Sequence, residues 1–261
     1  MPMKAALPLA LALAMLADRS VAASCRAVSG ERTAALVELY TSEGCSSCPP
    51  ADRWLSSLGA GGAPPASIVP IALHVDYWDY IGWKDPYGKR EFSLRQRKLS
   101  QLQRMALVYT PQVVLQGRDF RGWGTPAFDA AVAKITAQPA KARLSLRLDP
   151  AAPARLAVQV DAELLDPGRR ADAALYLAAY QNRLASAVTA GENRGRKLVH
   201  DYVVLEWQGP LSFGPEGRLA ERRELVLLPG AAARDSGVVG FVQDRRTAEV
   251  LQALMVAACP G

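Results

Sequence analysis

The segment Glu38-Leu-Tyr-Thr-Ser-Glu-Gly-Cys-Ser-Ser-Cys-Pro-Pro-Ala-Asp52 constrains this chain more than any other. An apolar run that begins at Ala34 ends in a C-x-x-C pair, Cys45 and Cys48, and a helical pattern follows at once. Two thiols at this spacing, where a strand gives way to a helix, can cycle between dithiol and disulfide or can hold a soft metal ion. Either chemistry would make this segment the functional site.

The N-terminus decides what those cysteines meet. Lys4 supplies a positive start, and Leu7 to Ala17 is an apolar stretch too short to span a bilayer. Val21-Ala22-Ala23 has the small residues of a signal-peptidase site, which places cleavage before Ser24. Residues 1–23 therefore read as a secretory signal peptide, and the mature protein as periplasmic or secreted. A lipoprotein is the alternative, because Cys25 follows Ala-Ala-Ser, but Asp18 and Arg19 separate the apolar run from that cysteine. No later segment is long and apolar enough to be a membrane helix.

Export implies an oxidising compartment, where disulfides persist. Four cysteines allow three connectivities. Position favours Cys45 with Cys48, and Cys25 with Cys259 as a structural pair tying the start of the mature chain to its end. Closing so long a loop would stabilise by roughly 4–5 kcal/mol on the chain-entropy account.

The formal charge is +6, modest for 261 residues. Basic residues cluster at Lys84, Lys89, Arg90, Arg95, Arg97, Lys98 and Arg104. We read them as a solvated helix face. No nucleic-acid-binding motif accompanies them, so nucleic acid is not the expected partner. An anionic envelope surface or an acidic partner stays open.

The composition divides the mature chain in two. From Ala34 to about Ala140, apolar runs alternate with helical patterns, as in an α/β unit. Strands are expected at Ala34–Thr41, Ile68–Val75 (announced by Pro64-Pro65) and Val113–Gln116. Helices are expected at Ala51–Leu58, Glu91–Met105 and Pro126–Thr136, the last with Thr125 as N-cap and Pro126 at its first position. After Pro139 come short alternating runs: Ala142–Leu148, Arg155–Leu164, Ala173–Gln181, Leu198–Trp207, Leu219–Leu228 and Val238–Gln243. Turn clusters such as Asp166-Pro167-Gly168 separate them. Ala248–Ala257 fits a helix or the second strand of a hairpin turning at Asp244–Thr247, and the hairpin is preferred. The expected architecture is a thioredoxin-like α/β domain over 24–140, then an all-β, immunoglobulin-like sandwich over 141–261.

In a thioredoxin-like fold the first cysteine stands where a central strand meets a helix N-terminus, whose N–H groups and dipole favour the thiolate. Cys45 would then be the attacking thiol and Cys48 the resolving one. Pro49 and Pro50 follow directly and carry no N–H, which leaves fewer donors for a thiolate. Downstream, Tyr109-Thr-Pro-Gln-Val-Val-Leu-Gln-Gly117 is a proline opening a short apolar strand that ends in a glycine turn. Thr110–Pro111 is the candidate cis bond that would face the C-x-x-C.

These two motifs, with His74-Val-Asp-Tyr-Trp-Asp-Tyr-Ile-Gly-Trp-Lys-Asp-Pro86 between them, closely resemble a bacterial family of secreted thioredoxin-like proteins catalogued as domain of unknown function 1223. The resemblance spans nearly the whole mature chain. It implies a thioredoxin-like fold and a redox role, and it supplies no demonstrated activity or substrate. Departures from ordinary thioredoxins matter here. Trp-Cys-Gly-Pro-Cys is replaced by Gly-Cys-Ser-Ser-Cys, and the position of their buried acid is Leu39. Glu38 lies one residue earlier. Buried under a covered sheet it would titrate high and relay protons; the other reading is an ion pair with a nearby arginine.

His74 and Asp76 end a strand expected beside the C-x-x-C strand, and residues two apart share a face. Residues 77–83, rich in aromatics, read as a loop walling the site, with Trp78 and Thr110 in that wall. His74 would tune the Cys45 thiol, join Cys45 and Cys48 in holding Cu(I), or serve only as a hydrogen-bonded structural residue. His200 follows a glycine-rich stretch, Gly191-Glu-Asn-Arg-Gly195, that lacks a phosphate-loop G-K-[ST] and reads as a hairpin loop. The leading expectation is a thiol–disulfide oxidoreductase without a cofactor, using Cys45, Cys48, Pro111 and Glu38. Its partner would be a protein thiol or disulfide in the cell envelope. The alternatives are a Cu(I)-binding module and a binding protein in which both disulfides are structural.

Overall fold

The run Ala-Leu-Val-Glu-Leu-Tyr-Thr has no polar side to turn toward water, so a strand built from it must be covered on both faces. In the computed structural model, which describes residues 25–59, 66–152 and 154–259, that strand is buried at every position. The signal segment, its cleavage site and Pro64-Pro65 lie outside the described residues.

The first half contains β1 (Cys25–Val28), β2 (Ala35–Thr41), α1 (Pro49–Ser57), β3 (Ile68–His74), α2 (Arg90–Leu102), β4 (Gln112–Leu115), β5 (Arg118–Asp119) and α3 (Pro126–Thr136). The second is all strand: β6 (Ala142–Ala152), β7 (Arg155–Leu164), β8 (Ala173–Gln181), β9 (Leu184–Ala187), β10 (Lys197–His200), β11 (Val203–Ser212), β12 (Arg218–Val226), β13 (Ser236–Asp244) and β14 (Val250–Ala257). The architecture is a β-rich α/β arrangement, with three α-helices and three sheets among the described residues.

One sheet has eight strands in the order β14-β13-β8-β11-β3-β2-β4-β5. Strand β2 pairs parallel with β3, Leu39 opposite Ala72 and Thr41 opposite His74, and antiparallel with β4. Helix α1 covers the face carrying Thr41, through Asp52, whereas α2 covers the face carrying Glu38, through Arg95. These faces are opposite because the two residues are three apart on one strand. Thr125 caps α3 by accepting from the Ala127 N–H, with Pro126 at the first turn, as its sequence demands.

The sheet does not stop at residue 140. Strand β11 joins β3 through Val203 opposite Ala72, and the Ala72 N–H donates to the Tyr202 carbonyl at 2.8 Å. Strand β1 crosses the other way. It pairs antiparallel with β6, in a four-stranded sheet of order β1-β6-β7-β12. This second sheet shares one apolar core with the far end of the large one, where Leu144, Leu146, Val158 and Val160 meet Leu175, Leu177, Val238 and Val242. The Cys25–Cys259 disulfide joins β1 to the residues that follow β14.

Two local expectations change. The run Leu198–Trp207 is two strands rather than one, because Tyr202 takes a left-handed backbone (φ 58°) and its N–H turns to the Asn182 side chain. That break sends β10 into a small hairpin with β9 and β11 into the large sheet. The glycine-rich stretch Gly191–Gly195 is the loop of this hairpin, as its composition suggests. Arg95 is not on a solvated face; it reaches into the core beneath β2.

The β4–β5 turn, Gln116-Gly117, has both residues at positive φ, a two-residue hairpin connection in which glycine is strongly favoured. A Cβ at Gly117 would lie 1.9 Å from the backbone oxygen of Ala248 in the β13–β14 turn, where neither chain can yield. Gly117→Ala is expected to lower stability by more than about 3 kcal/mol, read as a shift in the urea unfolding midpoint.

Candidate functional site

Past Thr41 the chain leaves the sheet and makes a tight turn into α1. The Cys45 N–H donates to the Ser42 carbonyl, and the Cys48 N–H to the Cys45 carbonyl. The turn brings the two cysteines to a Cα separation of 5.4 Å, and they form a disulfide. Cys48 is the N-cap of α1 and Pro49 its first residue. Of the first-turn donors only those of Ala51 and Asp52 exist, and both bond the Cys48 carbonyl. The Pro-Pro pair thus removes donors that would otherwise face Cys45. Both cysteines have no solvent exposure, whereas Ser46 and Ser47 between them are exposed.

Thr110–Pro111 is a cis peptide bond. The Thr110 hydroxyl accepts from the Trp78 indole N–H at 2.7 Å, which ties the aromatic segment to the proline loop. Trp78 and Ile81 close on Gly44, where an added Cβ would come within 3.0 Å of the Trp78 Cβ. Trp78 and Thr110 therefore stand beside the C-x-x-C turn.

Under that turn lies a cluster of buried charge. His74 Nδ1 sits 2.7 Å from Asp85 Oδ2, and both side chains are inaccessible. His200 crosses over from β10, with Nε2 3.1 Å from Glu43 Oε1 and Nδ1 3.8 Å from Asp52 Oδ2. The two imidazoles meet edge to face at 4.9 Å. Glu43 also accepts from the Trp83 indole N–H, and Asp52 from the Thr41 hydroxyl. Asp85 accepts from the Glu43 and Tyr87 N–H groups. Three carboxylates thus share one pocket with two imidazoles, and carboxylates outnumber the cations that can face them.

Titration follows from this imbalance. Burial pushes Asp52 up from the usual carboxylate value, and the opposing pull of His200, His74 and the Thr41 hydroxyl does not cancel it. Burial also acts against ionised Asp85, but His74 and the two backbone donors outweigh it and hold Asp85 low. For His74 burial favours the neutral ring, yet Asp85, Asp52 and Glu43 together raise it. His74 and Asp85 thus each favour the other's charged form, and Asp52 is the carboxyl whose neutral form burial favours. Asp52 is four residues beyond Cys48 on the same helix, the spacing at which side chains are neighbours.

Two expected site residues are elsewhere. Glu38 is fully buried but points to the α2 face, where Arg95 grips it with bonds of 2.7 and 2.9 Å and the Tyr40 hydroxyl adds a third. Arg95 itself lies 4.7 Å from the Trp207 ring. Of the two readings of Glu38, the structure shows the ion pair with a nearby arginine, Arg95. Asp76 lies past the end of β3 and accepts from Ser93 on α2, so it leaves the face of His74. Asp52, Glu43 and Asp85 stand in motifs recognisable from the sequence, but no periodicity marks them as mutual neighbours. Glu192 and Asn193, which also touch the turn, come from 150 residues away in the chain and had no signal beyond a loop. Among the described residues no group of three or more His, Cys, Asp and Glu is placed to hold a metal ion.

Comparison with known proteins adds the following. A family model described as protein of unknown function (DUF1223) matches residues 36–243. A crystal structure of a protein from Agrobacterium tumefaciens is similar with a TM-score of 0.62 and 23% identity, over 89% of this chain and 98% of that one. The structure of HBP35 of Porphyromonas gingivalis is similar with a TM-score of 0.66 and 16% identity, over 89% and 78%. At these identities the likeness is one of fold. No curated protein matches the chain.

Two outcomes test this electrostatic account. Glu38→Gln leaves the Arg95 charge buried without its partner and is expected to cost about 3–5 kcal/mol of stability, measured by urea denaturation. Asp52 binds its proton more tightly folded than unfolded, so its ionisation costs stability as pH rises from near 4 through its raised folded pKa. Asp52→Asn, which keeps the acceptor for Thr41, is expected to be more stable than wild type at pH 8, with the gain vanishing at pH 3.

Proposed function

We propose, for a chain that belongs to the DUF1223 family of proteins of unknown function, that the Cys45–Cys48 pair is the working centre of a thiol–disulfide oxidoreductase on a thioredoxin-like unit. The observation that carries this reading is a disulfide at the junction of a doubly covered strand and a helix, with a buried carboxyl, its pKa raised by burial, four residues beyond its second cysteine. A purely structural staple calls for no such acid on the same helix.

The chemistry runs as follows. With the pair reduced, the Cys45 thiolate attacks one sulfur of a substrate disulfide. The substrate S–S bond breaks, a mixed disulfide forms on Cys45, and the departing substrate thiolate takes up a proton. Ionised Asp52 accepts the proton of the Cys48 thiol and passes it to the second substrate thiolate as that departs. The Cys48 thiolate then attacks the Cys45 sulfur and expels the second substrate thiolate. Two electrons pass to the substrate, and Cys45–Cys48 becomes the disulfide. Run backwards, the same steps deliver a disulfide. His200 and Glu43 hold Asp52 and the turn in place as positioning residues. The β-rich half serves partner docking, and the partner is a protein thiol or disulfide in the periplasm or outside the cell.

A second reading has its own support. Both sulfurs are buried, as in an inert structural disulfide, and the protein would then act by binding alone. Trapping separates the two. In the oxidoreductase, Cys48→Ser accumulates a mixed disulfide with a disulfide-bonded reporter peptide, one reporter thiol being released, and Cys45→Ser abolishes exchange. The reduction potential lies between about −120 and −270 mV. No trapped species together with a potential below about −300 mV assigns the inert staple instead.

A further inference from the structure

We propose that residues 188–196, the loop between β9 and β10, form a displaceable lid over the Cys45–Cys48 disulfide, latched by Glu192 and Asn193. The inference takes its purpose from the proposed exchange reaction, but its observations are independent of it.

The loop reaches the C-x-x-C turn with two consecutive side chains. Asn193, wholly buried, donates from Nδ2 to the Glu43 carbonyl at 2.8 Å and to the Cys45 carbonyl at 3.0 Å. Glu192 accepts from the Ser46 N–H at 3.0 Å, and these bonds from Ser46 draw its pKa down. Gly191 seats the loop against the aromatic wall: it has φ 69°, and a Cβ there would stand 3.2 Å from Ile81 and 3.3 Å from Trp83. The loop thus packs on the backbone of the turn, with Ile81 against both, and neither cysteine is exposed to solvent.

A thiolate attacks a disulfide through access to one sulfur, so exchange cannot begin in this closed arrangement. The latch is shallow by comparison with its base. At the base, Val188 and Arg196 pair through their backbones, and His200 anchors β10 in the buried cluster. At the tip, contact with the turn runs through three hydrogen bonds, one made by an exposed carboxylate, and the Asn193 Oδ1 is buried without a partner. An unpaired buried acceptor lowers the cost of opening. The groups that the latch occupies are one N–H and two carbonyls of the backbone. An extended peptide presents the complementary donors and acceptors along its own backbone, so a polypeptide segment lying on the turn can replace every latch bond that it displaces. The site is thus shut toward small thiols and opened by a polypeptide partner.

The test is the rate at which tris(2-carboxyethyl)phosphine reduces Cys45–Cys48 in the oxidised full-length mature protein, with alkylated cysteines mapped by mass. Cys25–Cys259 in the same molecule is the internal reference. Asn193→Ala is expected to accelerate reduction of Cys45–Cys48 by at least about tenfold, and Glu192→Gln by about threefold, with the reference rate unchanged. Wild-type rates for Cys45–Cys48 in both variants overturn the lid. If Asn193→Ala also accelerates the reference, the fold has loosened and the exposed Glu192→Gln decides alone. A phosphine reduces any accessible disulfide, so this result does not depend on catalysis. An accelerated variant with no trapped mixed disulfide keeps the lid and removes the oxidoreductase; a trapped species with unaltered reduction rates does the reverse.

Discussion

A strand buried on both faces has no water to solvate whatever polar groups its sequence carries, and β2 carries two of consequence. Glu38 and Thr41 point in opposite directions, and each must find its partner inside the protein. Glu38 finds Arg95, which pins α2 beneath the sheet. Thr41 finds Asp52, which pins α1 above it. The two layers that flank the sheet are thus fixed in position by the need to satisfy two side chains on one strand. The C-x-x-C turn inherits its place from the second of these contacts.

The charge on each face is handled differently. On the α2 face one carboxylate meets one guanidinium, with aromatic rings around the cation, and the pair is closed. On the α1 face three carboxylates meet two imidazoles, and burial raises the pKa of one of them, Asp52. The disulfide lies on this second face. His200 brings the β-rich half into this pocket, so the halves distinguished by composition share both a sheet and a buried ionic cluster.

Much of the fold was legible in the sequence. Strand β2, helix α3 with its Thr-Pro cap, the terminal hairpin and the pairing of all four cysteines follow from periodicity, proline and glycine placement, and position along the chain. The break at Asp201-Tyr202 was not legible, because Tyr202 in a left-handed conformation leaves no mark in an otherwise alternating run. Nor was the continuity of the large sheet, which rests on a short parallel junction between Val203 and Ala72.

The candidate site divides along the same line. The sequence by itself determined the C-x-x-C turn, the loss of N–H donors at Pro49 and Pro50 and the neighbouring aromatic wall, since these depend on residues close together in the chain. Only the tertiary structure decided which partner each buried carboxylate meets. Glu38 and Asp52 are both buried acids, and what separates them is an arginine on one side and a histidine from the distant half on the other. It likewise brought Glu192 and Asn193 onto the backbone of the C-x-x-C turn. Local pattern fixes which face a side chain takes; the partner waiting there comes from another part of the chain, and the charge state of a buried group is set by that partner.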